Sequence, residues 1–559
     1  MLRLLIVFSL LPALLVGQTL TPAAGTYGVD HDLAIIVSRA PLEAWNASAD
    51  QFTNFIADSL NFEFAAPPAE LAYGRSYPVA VNGALYSLHL TPLPLMTLTV
   101  PGEIVDEPKT EGRAVYADDE QTFESRMGIE IRGGVSRNYP KKTYDIEFWE
   151  EGEGEESRDL EPGDLRKDDD WVLDALYNEP MRFNAYLAHK LWLDMHVPHY
   201  LDTEDRARSG ADVMFVETFL NGSYQGLYLL SEQVDRKLLR LKKPDEEGVH
   251  GLMYKGVTHG ESVDFDGLLP EPFPTAPLWG GLEPNYPKAE DTIVWEPVVE
   301  FVNFVMTTND QAFAEGINER FARENLADYF LFLNVIFGGD NRGKNIYLAR
   351  QNAAAPWFYV PWDLDATFGN RWTGQNNNNT NAILDNGLMR RMRGLSPGGF
   401  NYLLCQNYNA LRDRGVLSKT GLRGRYNEVV DFLTDNGIYD RERLVWPESL
   451  NATAGQRNFY HSWIGRRTDR LDNYFCELAV STESPWLETR ISVFPNPAAD
   501  ALTVRHGPAD KTFSLHDLTG RSLKSGRLSG TETVLSVGGF APGVYLLRVG
   551  GRTERVVVQ

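Results

Sequence analysis

Trp357-Phe-Tyr-Val-Pro-Trp-Asp-Leu-Asp-Ala-Thr-Phe-Gly369 reads as an apolar strand that ends at Pro361-Trp362 and then presents two carboxylates, Asp363 and Asp365. Paired carboxylates at a strand end are the hard oxygen donors that Mg²⁺ prefers, with phosphate oxygens and water completing its shell. So close together, they disfavour joint ionisation unless a cation accompanies them. The bland alternative is one aspartate capping a turn and the other facing solvent. Upstream, Gly338-Gly-Asp-Asn-Arg-Gly-Lys-Asn-Ile-Tyr-Leu348 follows an apolar helical stretch and leads into another strand. It places a carboxylate, Asp340, and a carboxamide, Asn345, in one loop.

Two more segments extend this pattern. Arg132-Gly-Gly-Val-Ser-Arg-Asn-Tyr-Pro-Lys-Lys-Thr-Tyr-Asp-Ile-Glu-Phe148 is a glycine-bearing turn between strands. Small residues let backbone N–H groups approach an anion, and basic side chains supply charge. Alternation along the second strand puts Tyr144, Ile146 and Phe148 on one face, and Lys141, Thr143, Asp145 and Glu147 on the other. Lys141 is therefore the better-placed lysine for a polar cleft, with Lys142 its close rival; solvated lysines on a hairpin are the alternative. In Phe215–Val234, Asn221-Gly222 between alternating apolar runs signals a hairpin. Glu232 follows the second strand directly, where a chain leaves a sheet to line a cleft or simply begins a helix with a solvated carboxylate.

Around these segments the body of the chain is mixed. Strands are expected at Gly128–Arg132, Thr143–Trp149, Val213–Leu220, Gly226–Leu230, Ile346–Ala349 and Trp357–Val360, and helices at Pro180–Met195, Pro297–Thr308 and Asn325–Phe337. A strand-rich first half and a helix-rich second half predict an α+β domain with two lobes. Residues 18–94 lean towards β-structure and offer no catalytic constellation.

The 559 residues are 43% apolar and 23% charged, which fits a globular chain of several domains. A net charge of −24 argues against nucleic acid or an anionic membrane as main partner, since both demand clustered positive charge. Met1–Gly17 has an early arginine, an apolar run and a small-residue end, the pattern of a secretory signal. No later stretch is apolar for long enough to predict a transmembrane span in the mature chain. Export permits a Cys405–Cys476 disulfide, with two buried thiols as the alternative; no cysteine spacing suggests zinc.

From Arg490 onward nine Lys/Arg face five Asp/Glu, so the tail is +4 and the remainder −28. Short alternating runs with Pro, Asn and Gly punctuation predict a small all-β sandwich over 490–559, behind a linker at 479–489. Its order VFPNPAADALTV, SLHDLTGR, GVYLLRV resembles the C-terminal sorting domain of the type IX secretion system. That resemblance implies passage through the periplasm to the cell surface or medium, with the secretion machinery as partner.

The five residues from Asp340 to Asn345 match the Asp-to-Asn spacing of a protein-kinase catalytic loop. The succession RGGVSRNYPKKTYDIEF, DDWVLDALYNEPMRFNAYLAHKL, VETFLNGSYQGLYLLSEQVD, NVIFGGDNRGKNIYLAR, WFYVPWDLDATFG strongly resembles the CotH kinase family across residues 95–478. The resemblance implies a two-lobed atypical protein-kinase-like fold, ATP with Mg²⁺ or Mn²⁺, and γ-phosphate transfer to Ser/Thr of an exported acceptor protein. It matches Asp340 to the catalytic aspartate and Asn345 to the metal-binding asparagine. Asp363 or Asp365 matches the metal aspartate, and Lys141, or else Lys142, the phosphate-contacting lysine. No His-Arg precedes Asp340 and no Asp-Phe-Gly follows. A catalytically inactive surface or matrix protein that keeps the fold is the competing expectation.

Overall fold

The computed structural model describes residues 17–39, 41–48, 51–480, 492–505, 511–518, 521–528, 532–549 and 552–559. The expected leader (apart from Gly17), nearly all of the expected linker and the side chain of Cys476 lie outside the described residues. The chain is a mixed α/β protein, with a β-rich N-terminal region and C-terminal β-sheets. Among the described residues no helix is long and apolar enough to cross a membrane.

The N-terminal region is one seven-stranded sheet, ordered Gln18–Leu20, Phe52–Ala57, Leu60–Phe64, Ser76–Val81, Ala84–Thr91, Ile35–Arg39, Tyr27–Asp30. Alternating Phe52, Phe55, Phe62, Val79, Leu88 and Leu90 bury its inner face. It docks onto the next unit through Ile35 and Val37, which pack with Leu95, Phe219 and Tyr224.

That next unit is a closed barrel of seven strands: Thr122–Ile131, Tyr144–Trp149, Asp170–Asp174, Ser223–Glu232, Val213–Leu220, Leu95–Thr99 and Thr110–Ala117. Tyr144, Ile146 and Phe148 point inward, against Met127, Trp171 and Tyr228. The hairpin at Asn221-Gly222 forms as expected, with φ of 50° and 80°. The two positive φ values are those a tight two-residue turn requires, and Asn and Gly tolerate them best. The Asn221 amide also donates to Val100 O (2.9 Å) and accepts from Val100 N–H (2.7 Å), pinning the neighbouring strand.

Beyond the barrel lies a four-stranded sheet, Leu282–Tyr286, Leu252–Gly256, Ile346–Arg350, Trp357–Pro361, with helices packed around it. Helix Arg323–Ile336 is buried along most of its length and packs on helix Asn184–Met195 and on Trp357–Pro361. An apolar surface all round suits a helix at the centre of a core. The short helix Ile438–Val445 returns to the barrel and lies on strand Ser223–Glu232. At the C-terminal end, sheets of three and four strands share one apolar core that includes Leu502, Val504, Leu515, Leu535 and Leu547.

Candidate functional site

Where the barrel meets the four-stranded sheet, a cleft of about 900 Å³ opens. The barrel side supplies Arg132, Lys141, Thr143 and Asp174, and the glycine-bearing turn Gly133–Arg137 lies along its edge. The sheet side supplies Lys255, Glu283, Asp340, Lys344, Asn345, Asp363 and Asp365. Side chains more than 200 residues apart in sequence thus face one space.

The loop with Asp340 and Asn345 is built by a helix stop. Helix Arg323–Ile336 ends at Phe337 in the left-handed region (φ 56°), and a single turn Asp340–Arg342 follows. Asn341 then stitches the loop down: its amide donates to Asn345 O (3.0 Å) and Trp362 O (2.8 Å), and its own carbonyl accepts from Tyr329 Oη (2.7 Å). Asn345 N–H donates to Gly256 O (3.0 Å), and Trp362 N–H to Asn345 O (3.2 Å). A Cβ at Gly256 would lie 1.8 Å from Gly343 O, so only glycine admits this approach of loop to strand. The loop and the strand end carrying Asp363 are therefore one rigid unit.

Asn345 and Asp363 both sit at positive φ, 56° and 54°. Non-glycine residues held there mark places where surrounding structure over-determines the backbone, as functional sites do. Asp363 opens to solvent in the cleft, while Asp365 is half-buried and accepts a hydrogen bond from Asn178 Nδ2. Asp174 accepts from Thr143 Oγ1 (3.2 Å) and Leu176 N–H (3.2 Å). Burial raises all three carboxyls above the usual carboxylate range; Asp174 reinforces this at Asp363, and Asp363 does so at Asp365. Asp340 is 27% exposed, with His259 Nε2 3.7 Å away.

The basic residues sort differently from the expectation. Lys141 lies in the cleft wall, but its side chain is 0% exposed. Its ammonium donates to Leu227 O (2.5 Å), Glu442 Oε1 (2.9 Å) and Glu442 Oε2 (3.3 Å), and sits 4.5 Å from the Tyr228 ring centroid. Burial lowers it to about 8, with Glu442 opposing and Arg182 reinforcing. Regular pairing begins only at Tyr144, so strand alternation does not extend back to Lys141. Lys142 turns away from the cleft and donates to Arg137 O (2.6 Å). Glu232 is not in the cleft either: it is buried, ion-paired to Arg208 (2.7 Å), and accepts from Arg166 N–H (2.7 Å) and Asp212 N–H (3.0 Å). It staples barrel loops together.

Asp174, Asn178, Lys255 and Lys344 line the cleft without having been singled out from sequence. Asp174 and Asn178 lie within DDWVLDALYNEP, where several acids compete for attention. Lys255 is the single charged residue of strand Leu252–Gly256. Burial and nearby Arg132 hold its ammonium below the usual lysine range, opposed by Glu283 and Asp363.

The donor set Asp174, Asp340, Asn345, Asp363 and Asp365 offers only oxygen, and its carboxyls are under mutual repulsion. That chemistry fits Mg²⁺ or Mn²⁺. Closer carboxylate packing occurs at Asp159, Asp168 and Asp169, but Lys237 already neutralises Asp168 (2.6 Å) and Asp169 (2.5 Å) there.

His189, also in the cleft wall, is lowered to about 4 by burial, with Asp212 opposing. The unfolded chain takes up this proton near 6.5, whereas the folded chain refuses it until about 4, so stability is lost as pH falls between those values. The effect is up to about 3 kcal/mol. His189→Gln is expected to flatten the acid limb of a stability-versus-pH curve measured by denaturant melts; an unchanged limb would remove His189 as its source.

An oxygen-lined cleft with basic residues beside it, on a rigid loop and strand end, defines a protein built to hold a cation together with a polyanion. The chain belongs to the CotH kinase protein family, whose profile matches residues 129–471. Residues 492–559 match the secretion system C-terminal sorting domain, which marks the chain for secretion or surface display. Beta-agarase A of Zobellia galactanivorans is 22% identical over 217 residues, covering 35% of this chain and 39% of that protein. The chain therefore spans well under half the length of that relative.

Proposed function

We propose that this chain is an exported CotH-type phosphotransferase that moves the γ-phosphate of ATP to a Ser/Thr hydroxyl of another exported protein, in a two-lobed kinase-like arrangement of barrel and sheet. The supporting observation is the convergence of Asp340, Asn345, Asp363 and Asp365 on one cleft with unpaired lysines beside them. Asp340, the most accessible end of the loop, orients the acceptor hydroxyl and takes up its proton. Asn345, Asp363 and Asp365 would hold Mg²⁺ or Mn²⁺, with Asp174 behind them. When bound, such a cation neutralises charge on the transferring phosphoryl group. The chain contributes position: the Asn341 clamp fixes Asp340 relative to Asp363, and fixed geometry lowers the barrier of a transfer with a loose transition state.

The test is incorporation of labelled phosphate from Mg-ATP or Mn-ATP into the purified chain or a generic acceptor. Nucleotide binding without any transfer would instead favour the non-catalytic surface protein.

A pH dependence follows from the carboxyls. Because Asp363 and Asp365 are raised, protons compete with a cation nearer to neutrality than at ordinary aspartates. The rise in melting temperature produced by Mg²⁺ is expected to be larger at pH 8 than at pH 6, and to vanish in Asp363→Asn. A pH-independent rise would place the cation elsewhere.

A further inference from the structure

Lysine ammonium groups have three protons to give. Those of Lys141 are spent on Leu227 O and both oxygens of Glu442, inside a fully buried pocket. Arg182 donates to the same carboxylate (2.9 Å), as does Leu227 N–H (2.8 Å). Arg132 is paired with Asp145 (2.5 Å) and Arg137 with Asp106. Lys255 and Lys344 differ. Among the described residues, neither has a side-chain hydrogen bond or a carboxylate within 4.0 Å.

Sheet register brings these two lysines to one place. Lys255 pairs with Tyr347 and Gly256 with Ile346, two residues after Lys344. Ile346 in turn pairs with Pro361, two residues before Asp363. Lys255, Lys344, Asn345 and Asp363 therefore cluster at one end of three adjacent strands and line the same cleft. Two half-buried cations without counter-ions, beside oxygen donors suited to a cation, form the complement of a metal–polyphosphate.

We propose that Lys255 and Lys344 are the residues that bind the polyphosphate in this cleft, and that Lys141 is a structural counter-charge to Glu442. The assignment builds on the nucleotide reading above, but its chemistry, recognition of adjacent phosphate oxygens, can be tested separately from it.

The experiment measures binding of two probes, Mg-ATP and inorganic tripolyphosphate, to the full chain by calorimetry, alongside thermal melts. Lys255→Met and Lys344→Met are each expected to weaken both probes about tenfold or more, the equivalent of one charge-assisted hydrogen bond. Neither should lower the melting temperature, because each removes a partly desolvated cation that has no partner. Lys141→Met is expected to lower the melting temperature. Should it fail to fold, Glu442→Gln serves instead: it loosens Lys141 and should leave anion affinity within about twofold. Unchanged affinity in the Lys255→Met/Lys344→Met double variant would overturn the assignment. So would a folded Lys141→Met that loses as much affinity as Lys255→Met. Lysine-dependent binding of tripolyphosphate without binding of Mg-ATP would uphold the assignment while sinking the nucleotide reading. Binding of neither probe would sink both.

Discussion

Asp340→Ala is expected to reduce phosphate incorporation about 10²- to 10⁴-fold, the span commonly lost with a positioned general base. The loop should survive the change intact, because it is held by Asn341, Tyr329, Gly256 and Trp362 rather than by the Asp340 carboxylate. Asp340 is 27% exposed and its one ion-pair neighbour, His259, is 3.7 Å away. The melting temperature should accordingly stay within measurement error of the parent, since surface changes of this kind rarely exceed about 0.5 kcal/mol. Mg-ATP affinity should change far less than turnover, as the carboxylate acts on the acceptor. Equal incorporation by parent and variant would remove Asp340 from the mechanism; loss of both binding and fold would make it structural.

The largest stability effect is expected from Glu442→Ala. This carboxylate, 0% exposed, receives Lys141, Arg182 and the N–H of Leu227. Removing it leaves two buried cations facing each other across the gap, and breaking such a buried pair costs about 3–5 kcal/mol. The neighbouring Arg441 makes a second fully buried contact, donating through Nε (2.7 Å) and Nη2 (2.9 Å) to Glu217, which also accepts from Tyr224 Oη (2.5 Å). Helix Ile438–Val445 thus clamps the barrel with two adjacent charges of opposite sign. A drop in melting temperature of several degrees should accompany Glu442→Ala, while Glu442→Gln, which keeps shape and part of the hydrogen bonding, should lose less. A variant as stable as the parent would show the cluster to be energetically idle.

The segments that could be read from sequence are those whose chemistry is local. Asp363 and Asp365 stand out because a strand visibly ends at Pro361-Trp362 before them, and Asn221-Gly222 can scarcely be other than a tight turn. Asp340 and Asn345 lie five residues apart in a loop already marked by glycines. Lys141 was harder. The two lysines precede the first paired strand residue, so a period-two pattern carried backwards gives the wrong face. Glu232 ends its strand as expected, but the loops at Arg166 and Arg208 fold over it, which strand periodicity cannot foresee. Lys255 sits in an unremarkable five-residue strand and acquires its meaning only from the register beside Ile346 and Pro361. Glu442 lies 301 residues from Lys141, in a polar-looking helical stretch that gives no hint of burial. Closure of the seven strands into a barrel, and the pairing of the N-terminal strands into one sheet, depend on such distant pairings too.

The clamp has a bearing on biogenesis. Lys141 and Arg182 are made early, yet the carboxylate that renders their burial tolerable is added 301 and 260 residues later. A nascent chain that has not reached Ile438–Val445 is expected to keep those cations hydrated and its strands open. For a polypeptide bound for export, that delay would hold it in a threadable state until translation is nearly finished, with the last helix acting as the latch that commits it to its folded shape.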